Sequence, residues 1–244
     1  MNSNRKVVVG ILGATGYLGG VIFQELHKLG YEVVDLGRSI SKATFDSNPP
    51  SIVFDAAFPT GGIDRKVEIE YLRRLASNFH LTSTSQITYY YLGSHSANKK
   101  SKSRYGNLKS QAEREVILKG GQILRVGLVI DSQNPKGRFL QFLRLTSKLP
   151  FIPVFPDKWL PIVTTTLDEF KLSIKSLVID QRDQMVQNLG VKSDINKLLN
   201  EYAGAKMRVR VPEILLYVAM YSSRLVYLGP LDSLKSVLYK EEEN

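Results

Sequence analysis

The 244-residue sequence predicts an α/β fold: a doubly wound parallel sheet with helices on both faces and a small C-terminal lobe. Three observations carry this. Short β-branched or apolar runs alternate with helical segments over residues 1–130, the pattern of a parallel sheet covered on both sides. The first run, Val7 to Leu12, opens into glycines spaced three apart, Gly13, Gly16 and Gly19, and then directly into a helical segment, Tyr17 to Leu29. Beyond Ile130 the texture changes. Residues 149–161 hold Pro150, Pro153, Pro156, Pro161 and the only tryptophan, Trp159.

The elements follow in order. Gly10 extends the glycine spacing backward, but the β-branched run around it places it inside the strand, so the turn begins at Gly13. Tyr31 to Leu36 and Ser51 to Ala57 read as strands, the second preceded by Pro49-Pro50. A helix is predicted over Asp64 to Ser77 and a short strand over Phe79 to Thr84. Tyr105 to Lys119 reads as a helix stopped by Gly120-Gly121, and Gln122 to Ile130 as the next strand. The proline-rich stretch excludes a regular core element there and reads as a lobe folded over the site. Met185 to Leu189 is strand-like, and Asp194 to Tyr202 helical. Val211 to Leu228 is a mostly apolar helix that either packs on the domain or a partner chain, or lies on a membrane surface. Its flanks carry few basic residues beyond Lys206, Arg208 and Arg210, which favours packing. Residues 1–130, with 162–190 returning to them, are expected to form the core. Residues 131–161 and 191–244 form the lobe.

Composition narrows the function. Hydrophobic residues make up 43%, enough for a sizeable core. The chain has no cysteine, which excludes disulfides and thiolate chemistry. His27, His80 and His95 are scattered, so no metal site is expected. Met1 to Lys6 is polar and leads into a strand rather than a signal-peptide core, and no apolar run reaches the roughly 18 residues of a membrane span. The expected location is cytoplasmic. The net charge of +10 suits nucleic acid or phosphorylated small molecules. The densest basic run, Lys99, Lys100, Lys102 and Arg104, has no interleaved aromatics, which argues against a platform for single-stranded nucleic acid. It is either a solvated loop or one that attracts a phosphorylated substrate, since it ends directly before Tyr105.

The glycine turn is a phosphate cradle. Glycines let the backbone turn tightly and approach an anion, and the following helix presents its free N–H groups. A Rossmann-type nucleotide site is therefore expected. Tyr105 and Lys109 stand four apart at a helix start, on one face. An ammonium near a phenol favours the phenolate, so such a tyrosine can move a proton at neutral pH. The same spacing recurs at Tyr202 and Lys206, but Gly204 lies between them near a helix end, and that pair reads as coincidence. Leu81-Thr82-Ser83-Thr84 reads as a strand end that offers a hydroxyl at the sheet edge, or as an ordinary Ser/Thr-rich turn.

Taken together, Gly-Ala-Thr-Gly-Tyr-Leu-Gly at 13–19, Asp55-Ala56-Ala57, Leu-Thr-Ser-Thr at 81–84, Tyr-Gly-Asn-Leu-Lys-Ser-Gln-Ala-Glu at 105–113, Ile-Leu-Arg-Val-Gly-Leu-Val at 123–129, Thr165 to Phe170 with Asp168, and Asn188-Leu189-Gly190 resemble the extended short-chain dehydrogenase/reductases. Within these the chain is similar to the NAD-dependent epimerase/dehydratase family, especially the dTDP-4-dehydrorhamnose reductase-like nucleotide-sugar enzymes. The resemblance covers residues 6–205. It implies Thr84 as the hydroxyl on the substrate oxygen, Tyr105 as general acid/base, and Lys109 as its tuner and ribose anchor. It also implies Gly13, Thr15, Gly16, Tyr17, Leu18 and Gly19 around the pyrophosphate, with Ala56 and Ala57 passing the cofactor. Arg138 and Trp159 are assigned to the substrate.

Gly37 stands where NAD users usually carry an acidic residue, and Arg38 and Ser39 can meet a 2′-phosphate, so NADP is expected over NAD, the other reading of Arg38 being a solvated loop charge. Asp35 points to the other side of its strand by alternation. The segment from Ala57 to Phe79 reads as shorter than the family norm, with one crossover helix cut down, which bears on the homodimer these enzymes often form. Ile87-Thr88-Tyr89 replaces the usual Val-Tyr-Gly of the following loop. Two functions follow. One is an NADP-dependent oxidoreductase or epimerase acting on an anionic, nucleotide-linked sugar. The other is a non-enzymatic NAD(P)-binding regulatory or redox-sensing module on the same fold.

Overall fold

A computed structural model describes residues 7–41, 45, 49–59, 63–83, 87–97, 99, 103–131, 148–154, 162–180, 184–203, 206–210 and 212. The chain begins with β1 (Val8–Leu12), α1 (Tyr17–Lys28), β2 (Glu32–Asp35), β3 (Ile52–Asp55), α2 (Arg65–Ser83) and β4 (Thr88–Ser94). It continues with α3 (Arg104–Leu118), β5 (Gln122–Val126), β6 (Leu128–Ile130), β7 (Phe151–Val154), β8 (Ile162–Thr166) and α4 (Leu167–Asp180). It closes with β9 (Val186–Leu189), β10 (Val191–Ser193), α5 (Ile195–Ala203) and β11 (Met207–Arg210). Two compact units result. One comprises Met1–Gly93, Gln111–Arg125 and Asp168–Leu189, the other Ser94–Ser110, Val126–Leu167 and Gly190–Asn244.

The first unit is built on a six-stranded sheet in the order β2-β1-β3-β4-β5-β9. β1 pairs in parallel with both β2 and β3, and β3 pairs in parallel with β4. Every residue of β1 and β3 is buried, which is why β1 and, up to Asp55, β3 read as apolar runs rather than alternating ones. The chain leaves β1 toward one edge and β3 toward the other. That reversal opens a crevice beyond their C-terminal ends, where Leu12 pairs with Asp55.

β4 shows how the layers form. Its side chains alternate, so Tyr89 and Tyr91 share one face and Tyr90 takes the other. The Tyr91 and Tyr71 hydroxyls lie 2.7 Å apart, and Tyr89 packs on Phe79 at 4.2 Å between ring centroids, which places α2 on that face. On the opposite face, the Tyr90 hydroxyl donates to the Leu177 carbonyl of α4 at 3.3 Å, and its ring stacks on Phe54.

The strand expected at Phe79 to Thr84 is not one. Residues 79–83 form the last turns of α2, and Thr84 itself lies outside the described residues. Tyr71, Leu75, Phe79 and Thr82 are all buried, a helical spacing that strand alternation cannot match. Thr82 tolerates the helix because its hydroxyl donates back to the Asn78 carbonyl at 3.1 Å. Two further expectations change with it. The crossover between β3 and β4 carries a helix of 19 residues, Arg65–Ser83, where one over Asp64 to Ser77 was expected. Thr88 and Tyr89 belong to β4 itself and not to a loop after it.

The second unit holds a three-stranded sheet in the order β10-β8-β6, with β8 antiparallel to β10 and parallel to β6. The single strand expected over Gln122 to Ile130 is broken at Gly127. The Gly127 N–H donates to Thr165 Oγ1 at 3.0 Å, and a Cβ there would stand 2.7 Å from the Val163 carbonyl oxygen. The proline-rich stretch is more regular than expected, since β7 pairs in parallel with β11. Pro153 sits opposite Val209 in this sheet, where β7 has one partner among the described residues and a missing N–H is tolerated. Ile195 and Leu199 of α5 are fully buried. The apolar helix expected at 211–228 lies outside the described residues apart from Pro212. Among the described residues no helix is long and apolar enough to cross a membrane.

Candidate functional site

The turn after β1 is built by close approach. Gly13 has φ +78°, in the left-handed region. A Cβ at Gly13 would lie 2.8 Å from both the N and Cα of Ala57, and one at Gly19 would run into the Gly13 carbonyl oxygen. The ends of β1 and β3 thus meet backbone to backbone. The Gly16 N–H donates to the Gly13 carbonyl at 2.9 Å and closes the turn. Gly16 then caps α1 in extended conformation, with no side-chain cap and no acidic residue in the first turn. That leaves the helix N-terminus suited to an anion rather than to its own carboxylate.

The turn after β2 is tied to the same place. The Gly13 N–H donates to the Gly37 carbonyl at 2.6 Å, and the Gly37 N–H donates to Asp35 Oδ1 at 2.8 Å. Asp35 is therefore engaged in shaping its own turn. Arg38 and Ser39, directly after Gly37, are exposed. Of the other residues expected here, Thr15 and Gly16 are exposed, Tyr17, Leu18 and Ala56 half-buried, and Gly19 and Ala57 buried. A dinucleotide fits this crevice: the cradle is one that side chains would fill, and its rim is free of carboxylates in the first turn of α1.

Beneath the crevice lies a polar cluster that sequence reasoning missed. Asp55, at the end of β3, is 1% exposed. Its Oδ1 accepts the Ala57 N–H at 3.0 Å and its Oδ2 accepts the Tyr89 hydroxyl at 2.7 Å. Arg74 Nη2 stands 3.8 Å from Oδ1. Burial pushes the Tyr89 phenol well above its ordinary value, and the Asp55 carboxylate adds to the shift. Burial raises Tyr91 likewise, with help from Tyr71. The legible signal was an acidic residue closing an otherwise apolar strand.

The second unit carries the tyrosine–lysine pair. α3 begins at Arg104, after the Asn107 N–H bonds the Ser103 carbonyl at 3.1 Å. Tyr105 is half-buried, and Lys109, one turn on, is 5% exposed. A buried lysine is seldom surface decoration. Farther along α3, Glu113 Oε2 accepts from both Nε and Nη2 of Arg125 at 2.8 Å.

β4 runs three residues past Tyr91, the partner of Asp55, and so ends on the Ser94 hydroxyl; Thr84 lies outside the described residues. Ser94 is buried, and its Oγ accepts the Ser96 N–H at 3.2 Å. Arg138 and Trp159 lie outside the described residues, as do Lys100 and Lys102. Lys99 is exposed. Among the described residues no three His, Asp or Glu side chains are grouped to hold a metal ion.

No family model and no curated protein matches the chain. Solved structures do. A UDP-glucose 4-epimerase from Thermotoga maritima, solved with UDP-glucose, superposes with a TM-score of 0.65 at 16% identity, over 84% of this chain and 86% of its own. The Bordetella bronchiseptica enzyme WbmG, in complex with NAD, gives 0.65 at 15%, over 87% and 83%. A dTDP-4-dehydrorhamnose reductase from Clostridium acetobutylicum gives 0.63 at 15%, over 84% and 85%. The chain has the Rossmann-type α/β fold of the NAD-dependent epimerases and reductases.

Proposed function

We propose that this chain is an NADP-dependent oxidoreductase or epimerase of the short-chain dehydrogenase/reductase type, acting on a keto or hydroxyl carbon of a nucleotide-linked or related sugar. The observation that carries the reading is Lys109, buried one turn after Tyr105 in a fold shared with such enzymes. Gly13, Thr15, Gly16, Tyr17, Leu18 and Gly19 would hold the pyrophosphate, and Ala56 and Ala57 would flank the cofactor. Arg38 and Ser39, exposed after the Gly37 turn, would hold the 2′-phosphate that separates NADP from NAD. When bound, the nicotinamide supplies or accepts the hydride at the sugar carbon.

The chain's own residues handle the proton. In the reductive direction Tyr105 gives its phenolic proton to the substrate oxygen as negative charge builds there. Lys109 holds a ribose hydroxyl and offsets the charge left on the phenol. The hydrogen bond expected of Thr84 would pass to Ser96, the more exposed of the two hydroxyls at the end of β4. Lys99 and Arg104 would draw the anionic substrate in, with Arg138 and Trp159 contacting it and residues 131–161 and 191–244 serving as the substrate lobe. A homodimer and a cytoplasmic location complete the proposal.

The test is Tyr105→Phe, assayed with NADPH and a panel of keto and hydroxyl nucleotide sugars. Turnover should fall at least a hundredfold while NADPH affinity stays within a few-fold. Full turnover in the variant rejects the mechanism. Cofactor binding by the native chain with no turnover across the panel points instead to a binding module.

A further inference from the structure

We propose that Arg74 is a positioning residue for the dinucleotide: one guanidinium on α2 clamps the two loops that form the crevice floor. The inference rests on the cofactor reading above and deepens it. Nη1 donates to the Arg38 carbonyl at 2.9 Å, in the turn after β2, and Nη2 donates to the Ala57 carbonyl at 2.6 Å, after β3. One turn along α2, Asn78 Oδ1 accepts the Ile40 N–H at 3.0 Å, so the same helix face holds the β2 loop at a second point. Arg74 is itself fixed by Asp55 and by the Tyr71 ring, 4.8 Å from its guanidinium carbon. Asp55 binds the Ala57 N–H while Arg74 binds the Ala57 carbonyl, so both polar atoms of the residue that Gly13 approaches are held.

Fold stability alone explains this poorly. A largely buried ion pair is seldom worth more than apolar residues of the same shape. Here both carbonyls that Arg74 holds belong to residues assigned to the cofactor, Arg38 and Ala57. Only a planar fork reaches both, and a lysine ammonium at the same position reaches one. Arg74 would then set where Arg38 stands and hence how the adenosine end is received.

The experiment measures affinity for NADPH, NADH and adenosine 2′,5′-bisphosphate by calorimetric titration. The proteins are native, Arg74→Lys, Asn78→Leu and Tyr91→Phe. Tyr91→Phe cuts the bond to Tyr71 on the same helix and touches neither loop, so it reports a purely structural loss. Arg74→Lys should weaken the dinucleotide and the bisphosphate about tenfold, the loss of one bond from a charged donor. Tyr91→Phe should stay within twofold. A shift under threefold in Arg74→Lys, or an equal shift in Tyr91→Phe, overturns the inference and leaves the cofactor reading intact. A native protein that binds neither dinucleotide overturns the cofactor reading itself. Should Arg74→Lys fail to fold, Asn78→Leu decides: a weakening of threefold or more supports the clamp, and anything smaller removes it.

Discussion

Replacing Gly13 with alanine tests the contact on which the crevice depends. Two costs add. An L-residue in the left-handed region costs about 1–2 kcal/mol, and Gly13 sits at φ +78°. The new methyl also meets main chain, 2.8 Å from Ala57 N and Cα, with no flexible side chain to yield. Forcing an extra carbon into such a contact costs about 1–3 kcal/mol. The sum, about 2–5 kcal/mol, is a large share of the ~5–15 kcal/mol that holds a typical domain together. For a chain of this size it should lower the melting temperature by about 5–15 °C. Gly30→Ala is the control, because Gly30 has φ +84° with nothing within 4 Å of where the new methyl would stand. It should lose only the backbone part, about 1–2 kcal/mol. Thermal and urea unfolding followed by circular dichroism measures both. Equal melting temperatures for the two variants would refute the reasoning, since the close approach of β1 and β3 would then carry no energetic weight.

Other outcomes follow from the same contacts. Arg38→Ala should weaken NADPH about tenfold and leave NADH nearly unchanged, read by calorimetric titration. Equal losses would place Arg38 away from the 2′-phosphate. Glu113→Gln should cost about 1.5–3 kcal/mol in urea unfolding, because two guanidinium nitrogens of Arg125 lose a charged acceptor. Lys171→Ala, which removes the pair with a 90% exposed Asp168 side chain, should cost less than about 0.5 kcal/mol. Tyr89 and Tyr91 have raised native pKa values, so the native state keeps protons that the unfolded chain releases. Their contribution is complete below about pH 10 and fades as pH climbs through the native values. Ultraviolet difference titration should find both phenols un-ionised until alkaline unfolding begins, and Tyr89→Phe should move that transition to higher pH.

Local features were legible because their physics is local. A glycine that must take positive φ, a helix whose N-terminus starts right after it, and a tyrosine one turn before a lysine are each decided within about twenty neighbouring residues. The glycine turn, α1, β2, β3, α3 and β9 were accordingly readable from residue order. β4 was not. Phe79 to Thr84 and Thr88 to Ser94 both carry strand-forming residue types. The choice between them fell to distant partners: Tyr71 and Phe79 give α2 a buried face only if that segment stays helical and packs against Tyr91 and Tyr89. The proposed substrate hydroxyl moves with the strand, to the end of β4 at Ser94 and Ser96. The contacts of Arg74 were equally hidden, because its partners outside α2, Arg38, Asp55 and Ala57, come together only once the sheet forms. Short-range backbone sterics are written residue by residue, whereas burial and hydrogen-bond pairing depend on which surfaces the folded chain brings face to face.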